Sequence, residues 1–209
     1  MKRTVAMVAL AAVPFAASAA FPAARGVLAR FAGAAVAERF AFERMAAAEP
    51  QAEVSARDGK ILVRATDENR AAAAVGRYIR EIAKGHWSRS GNRVPAEWPL
   101  PKGPLKVKSA LPHLHAYNYC VFSYSFAFYG EEEWRANIDR LALSGFTSAL
   151  VPTGNMKVWQ LFLRDAGFSE EQIAAFIPDE TAQSWVNCGV MEGVGAPFPP
   201  ERIDEEAHL

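Results

Sequence analysis

The chain has 209 residues, 51% of them hydrophobic and 22% charged, with 23 basic against 23 acidic side chains, so its formal net charge is zero. That is enough apolar material for one or two packed domains, and the composition argues against a disordered chain. The even charge balance gives no electrostatic reason to expect nucleic acid or an acidic surface as a partner.

Met1-Lys2-Arg3, an apolar run from Val5 to Phe15 and Ala17-Ser18-Ala19 before Ala20 have the three-part layout of a secretory leader with a small-residue cleavage site. Residues 1–19 are therefore expected to be a signal peptide, and the protein to be exported to the periplasm or outside the cell. The run is short of the roughly 20 residues that span a bilayer, so no membrane span is expected. An uncleaved or organellar leader is the fallback, because Arg25, Arg30 and Arg39 continue an Ala-rich amphipathic stretch.

Next comes an expected helix from about Arg25 to Ala47, with Val27, Leu28, Phe31, Ala35 and Phe42 inward. Pro50 leads to a turn at Asp58-Gly59 and a strand over Lys60 to Ala65. Thr66-Asp67 can cap a helix whose apolar stripe is Ala72, Val75, Tyr78, Ile79 and Ile82, ending at Lys84-Gly85. Five prolines between Pro95 and Pro112 mark a connection.

Tyr117 to Phe128 then reads as a strand, with Asn118, Cys120, Phe122, Tyr124, Phe126 and Phe128 on one face and Tyr119, Val121, Ser123, Ser125 and Ala127 on the other. Both faces are largely apolar, which suits a strand covered on both sides, as in parallel sheets. Glu131 to Glu133 favour a helix N-terminus, Trp134, Ile138, Leu141 and Ala142 form its stripe, and Gly145 can close it. Thr147 to Val151 is a short strand stopped by Pro152, with a turn at Thr153-Gly154 and Asn155 as the next N-cap. The following helix, Met156 to Ala166, is expected to bury Val158, Trp159, Phe162 and Leu163. Ser169-Glu170-Glu171-Gln172 has capping-box spacing for a last short helix through Phe176, stopping before Pro178.

Tyr117-Asn118-Tyr119-Cys120, Ser123-Tyr124-Ser125-Phe126, Trp134, Ile138-Asp139, Leu141 to Phe146, Trp159, Gly167-Phe168 and Trp185 resemble the alpha-N-acetylglucosaminidase family of glycoside hydrolases. Upstream, Ile61 to Arg64, Ala72 to Arg80, Trp87 to Asn92 and Pro99-Leu100-Pro101 look like the small domain that precedes the family's barrel. The resemblance implies an α/β chain with a small N-terminal α/β domain (20–101), then the first two βα units of an incomplete (β/α)8 barrel (102–209). It implies action on glycans with terminal alpha-linked N-acetylglucosamine, and neither a cofactor nor a metal is expected.

The family works through two catalytic glutamates on later barrel strands, and none of the 23 acidic residues matches either. Retaining hydrolysis needs two facing carboxyls, so no catalytic residue is assigned and the chain is expected to be inactive alone. A missing C-terminal portion of the same enzyme is then a natural partner. A non-catalytic carbohydrate-binding fragment and a non-functional remnant of a broken gene are the alternatives, and a remnant with open sheet edges would tend to aggregate.

By resemblance, Asn118, Cys120 and Tyr124 line the sugar pocket from the first barrel strand, Gly154 sits in the loop after the second, and Trp185 is the tryptophan to follow as a sugar contact. Two departures stand out. The family's Gly-Gln-Glu is Gly154-Asn155-Met156 here, and Met191 to Pro199 carries Val194 where the family has an aromatic ring. Cys120 and Cys188 can pair in an exported protein, although Cys120 on a buried strand would be a small apolar filler. His113 and His115 can share a strand face as metal ligands but lack a matching carboxylate pattern, and Ser123 and Ser125 have no nearby base.

Overall fold

A computed structural model describes residues 20–179, 181–187 and 195–208. The leader (1–19), Cys188 with the alternative of its pairing to Cys120, and Val194 lie outside the described residues.

The small domain begins with α1 (Pro22–Ala32) and a single turn α2 (Ala34–Ala37). The single helix expected to Ala47 does not form. Gly33 breaks it at φ 92, and Phe40 and Phe42 alternate into the core as part of β1 (Phe40–Arg44), each 1% exposed. Period-two burial wins there because β1 pairs in parallel with β3 (Lys60–Ala65). Between them β2 (Gln51–Arg57), not anticipated, pairs antiparallel with β3 through the expected Asp58-Gly59 turn. Both turn residues have positive φ, 50 and 74, which gives the twist a tight hairpin needs.

The strand that closes the sheet comes from the proline-rich connection. After α3 (Glu68–Glu81) and a short hairpin of β4 (His86–Ser88) with β5 (Gly91–Arg93), β6 (Leu105–Lys108) joins β2. The sheet order is β1-β3-β2-β6. Across it lies α3, capped as expected by Asp67, whose carboxylate accepts the Arg70 N–H at 2.9 Å. Val54, Ile61, Val63, Tyr78 and Ile79 fill the space between helix and sheet. Phe40 meets the rings of Tyr78 at 5.4 Å and Trp98 at 6.0 Å, and the Tyr78 hydroxyl donates to the Pro99 carbonyl.

The second portion starts with β7 (His115–Ala116) and continues into α4 (Glu131–Ser144) and β8 (Ser148–Ala149). The two strands pair in parallel, His115 with Ser148 and Ala116 with Ala149, and the Leu150 N–H extends the ladder to the Ala116 carbonyl at 3.0 Å. A strand, a helix and a parallel strand make one βα unit with the next strand in place, as a barrel requires. The chain is thus α/β, with a small N-terminal domain followed by the opening units of a barrel.

The expected strand over Tyr117 to Phe128 does not form; the strand is the pair His115–Ala116 just before it. Tyr117 turns the chain at φ 75, and Tyr119–Ser123 coils into a 3-10 helix. Phe122 and Phe126, four apart, bury together against Trp134, while Asn118, Cys120, Tyr124 and Phe128 are exposed. The aromatic run is long because it builds a compact corner above the strand, not because the strand is long. Cys120, exposed, is no core filler.

Then follow α5 (Asn155–Asp165), α6 (Glu170–Phe176), α7 (Gln183–Asn187) and α8 (Pro200–Ala207). Ser169 and Gln172 form the expected capping box, whereas α5 is capped by Gly154 at φ 85 and not by Asn155. The inward stripe of α5 is Met156, Gln160 and Leu163, and Val158 and Phe162 are 65% and 59% exposed, contrary to expectation. The helix packs on α6 and α8, so the side it turns away from them is bare. Ile138 on α4 is exposed for a similar reason, its place inward taken by Asn137.

The two portions are clamped together. Arg30 makes a bidentate pair with Asp139, both bonds 2.7 Å, which raises the Arg30 pKa further. Trp87 Nε1–H donates to Ser144 Oγ at 3.1 Å, and Gly76 brings the backbones of α3 and α4 into contact. Among the described residues no helix is long and apolar enough to cross a membrane.

Candidate glycan-facing site

Parallel strands send their following loops to the same end of a sheet. Asn118, Cys120 and Tyr124 follow β7, and Gly154 follows β8, so four of the five expected site residues gather at the C-terminal ends of two neighbouring strands. The backbone there is held from below: the Tyr117 hydroxyl donates to Asn137 Oδ1 at 2.9 Å, and Arg140 Nη2 donates to the same oxygen at 3.0 Å. That fixes the turn through which Asn118 enters the 3-10 helix.

The fifth residue arrives from far along the chain. In α7 the Ser184 N–H donates to Ser123 Oγ at 2.9 Å, and its hydroxyl donates to the Tyr119 carbonyl. Both bonds are buried or nearly so, and they pin α7 on the 3-10 helix. Trp185 therefore stands edge-on to Tyr124, ring centroids 6.2 Å apart and planes at 81°. Tyr124 is 67% exposed, so the pair forms an open aromatic corner. Asn118 and Cys120 are exposed beside the same helix, with the Asn118 amide available to hydroxyl groups.

Gly154 has a different duty. A Cβ there would come within 3.2 Å of the Glu206 carbonyl oxygen and 3.3 Å of Ala207 Cα, so the glycine lets α8 approach the end of β8. Glu206 then lies 8% exposed in a cleft with Thr153, Phe122, Phe126, Trp134 and Gln183, where Gln183 Nε2 donates to both of its oxygens at 3.4 Å. That cleft holds about 10 Å³, room for a water and not for a sugar ring. Among the described residues at this end of the two strands, a ligand of sugar size would sit at the outer corner.

Glu206, Gln183 and Ser184 escape a reading of local pattern, because they act through contacts more than twenty residues away. Helices α7 and α8 were not anticipated, since the last expected helix ended at Phe176; Pro200 at the first helical position is the signal that could have found α8. Of the two histidines, His115 bonds Ser148 Oγ through Nδ1 at 2.9 Å. Among the described residues no group of three His, Cys, Asp or Glu side chains gathers to hold a metal.

Comparison with known proteins gives one direction. Residues 22–102 match the alpha-N-acetylglucosaminidase (NAGLU) N-terminal domain, and residues 115–209 match the tim-barrel domain of the same proteins. Human alpha-N-acetylglucosaminidase is 30% identical over 193 residues, which cover 88% of this chain and 26% of the human protein. A family 89 glycoside hydrolase from Clostridium perfringens, solved with PUGNAc, superposes with a TM-score of 0.83 at 22% identity, over 90% of this chain and 22% of that one. A double glutamate-to-glutamine form of the clostridial protein, solved with its substrate GlcNAc-alpha-1,4-galactose, gives a TM-score of 0.81, also at 22% identity and with the same coverage. The chain thus spans about a quarter of the length of these relatives.

Proposed function

We propose, from the premise that this chain belongs to the alpha-N-acetylglucosaminidase family of glycoside hydrolases, that it forms the first wall of a pocket for terminal alpha-linked N-acetylglucosamine on glycans. The observation that carries this is the parallel pairing of β7 with β8, which sends Asn118, Tyr124 and Gly154 to one end, where Trp185 joins them. An exposed aromatic corner beside an amide suits a sugar, since a ring face packs on the aromatic while hydroxyls take the polar group.

Hydrolysis is a separate matter. A retaining glycosidase holds two carboxyl groups about 5–5.5 Å apart across the scissile bond, one as acid and one as nucleophile. Among the described residues Glu206 is the carboxylate that lines the cleft, and Gln183 occupies its oxygens. These 209 residues are accordingly read as binding the sugar without cutting it, with the carboxyl pair contributed by further βα units, whether on the same polypeptide or a partner. A carbohydrate-binding role alone is favoured by the same exposed corner.

Titration of the chain with N-acetylglucosamine, followed by tryptophan fluorescence, tests this reading. Saturable quenching that is absent with glucose and lost in Trp185→Phe is expected; a flat titration overturns it. The leader also supports export, with Ala20 as the first residue of the mature protein. Because Phe21 is fully buried, cleavage at that point leaves the core whole. Fractionation and N-terminal sequencing check this, and a cytoplasmic product starting at Met1 refutes it.

A further inference from the structure

A crevice of about 170 Å³ opens between α3, the end of β6 and the C-terminus of α4. Arg70, Arg77, Arg80 and Lys108 line it, with the Ser109 and Ser144 hydroxyls, and no carboxylate belongs to its wall. The helix explains the convergence. At 3.6 residues per turn, Arg70 and Arg77 fall within about 20° of one another and Arg80 about 60° further round, while Lys108 reaches in from the sheet opposite.

These cations are poorly compensated. Arg70 is 5% exposed, and among the described residues its guanidinium has one acceptor, the Pro112 carbonyl at 3.2 Å. Its own carboxylate neighbour, Asp67, is spent on the Arg70 backbone N–H and the Thr66 hydroxyl. Arg77 Nε bonds Glu81 at 2.5 Å, but that pair is exposed on both sides and weak for that reason. Arg80, exposed at its outer end, lies over the Trp87 ring at 4.4 Å; partial burial first, then repulsion from Arg77, holds its pKa below the ordinary value against the attraction of Glu81. Lys108 has no side-chain partner among the described residues. The C-terminus of α4 offers at most about half a negative charge, well short of what four cations require. A buried guanidinium without an anion is costly, so the crevice is a place that a bound anion would stabilise.

We infer that this crevice binds a tetrahedral oxoanion, phosphate or sulfate, either free or as the ester group of a larger molecule. Three guanidinium groups and an ammonium offer more donors than the two oxygens of a carboxylate can accept, whereas a tetrahedral oxoanion can be reached from several sides. The site joins the small domain to the barrel portion at the α3–α4 contact. It is independent of the sugar-binding corner and of any hydrolytic activity.

The test is thermal melting and titration calorimetry of the 209-residue chain with inorganic phosphate, inorganic sulfate and glucose 6-phosphate, each against sodium chloride at equal ionic strength. Phosphate or sulfate should raise the melting temperature above the chloride control. Binding should weaken about tenfold in Lys108→Gln and again in Arg77→Gln, the scale of one charge-assisted contact. Tighter binding of the ester identifies an esterified ligand, and equal or tighter binding of the inorganic ion identifies the free oxoanion; either supports the site. A melting temperature that follows ionic strength alone, or variants that bind like the parent, overturns it. Lys108 is exposed and without a side-chain partner among the described residues, so its variant separates lost binding from lost folding.

Discussion

Replacing Gly76 with alanine should unfasten the two halves of the molecule. Judged by its own helix, the change is favourable, because alanine in a helix interior is worth about 1 kcal/mol over glycine. The neighbour reverses the sign. A Cβ on Gly76 would stand 1.9 Å from the Leu143 carbonyl oxygen and 2.8 Å from its carbon, a shortfall of about 1.1 Å on the 3.0 Å that real Cβ contacts respect. The obstacle is α4 backbone, which cannot swing aside as a side chain can. Either α3 and α4 part, straining the Trp87–Ser144 hydrogen bond next to the contact, or one helix bends. Overpacking of this kind costs about 1–3 kcal/mol or more, and with rigid backbone in the way the upper end applies. Setting the helix gain against it leaves a net loss of about 2 kcal/mol, or roughly 4–8 °C in melting temperature for a fold of this size. Gly103→Ala is the control, since a Cβ there would meet nothing within 4 Å and its φ is not positive; it should be neutral or stabilising by up to about 1 kcal/mol. Circular-dichroism melts decide the matter, and a Gly76→Ala protein melting at or above the parent refutes the packing argument.

Three further outcomes are expected. The Tyr78 hydroxyl is pushed up to about 12 from its ordinary 10.0, mainly by burial. Its neutral form therefore favours the fold, a contribution complete below pH 10 and lost as pH rises through 12, about 2–3 kcal/mol in all. Tyr78→Phe should cost about 1 kcal/mol at pH 7, where it loses the bond to the Pro99 carbonyl, yet show a flatter denaturation profile between pH 10 and 12; an unchanged alkaline slope contradicts the assignment. Asp67→Ala should lower stability by about 1 kcal/mol through the lost cap on α3, measured by urea denaturation, and Asp67→Asn should recover most of it. Tyr124→Ala should weaken N-acetylglucosamine binding severalfold while leaving the melting temperature within a degree or so, because the ring is mostly exposed; an equal affinity removes Tyr124 from the site.

Features written in local chemistry were legible in the sequence. Asp67 before α3, the acidic first turn and Gly145 of α4, and Ser169 with Gln172 on α6 are cap signals that depend on neighbours a few residues away, and each sits where it was expected. The alternation in Gln51–Arg57 and the Phe40/Phe42 pair went unread as strands, because the Ala-rich composition before them reads as helix until Gly33 and the pairing with β3 decide. Tyr117 to Phe128 misled for a deeper reason. An aromatic run that buries Phe122 and Phe126, four residues apart, looks like a two-faced strand, and the Tyr117 turn and the tertiary contact with Trp134 separate the two. Tyr124 and Trp185 were proposed as site residues through the family resemblance alone. Their meeting depends on Ser184 reaching back to Ser123 and Tyr119, a connection across about sixty residues with no local trace.

Turnover of an aryl alpha-N-acetylglucosaminide by the purified 209-residue chain is the most direct measurement. No release of the aryl group above buffer is expected, because among the described residues the cleft beside the aromatic corner holds one carboxylate where retaining chemistry needs two. A rate that persists through purification and disappears in Glu206→Gln would contradict the division between binding here and cutting elsewhere.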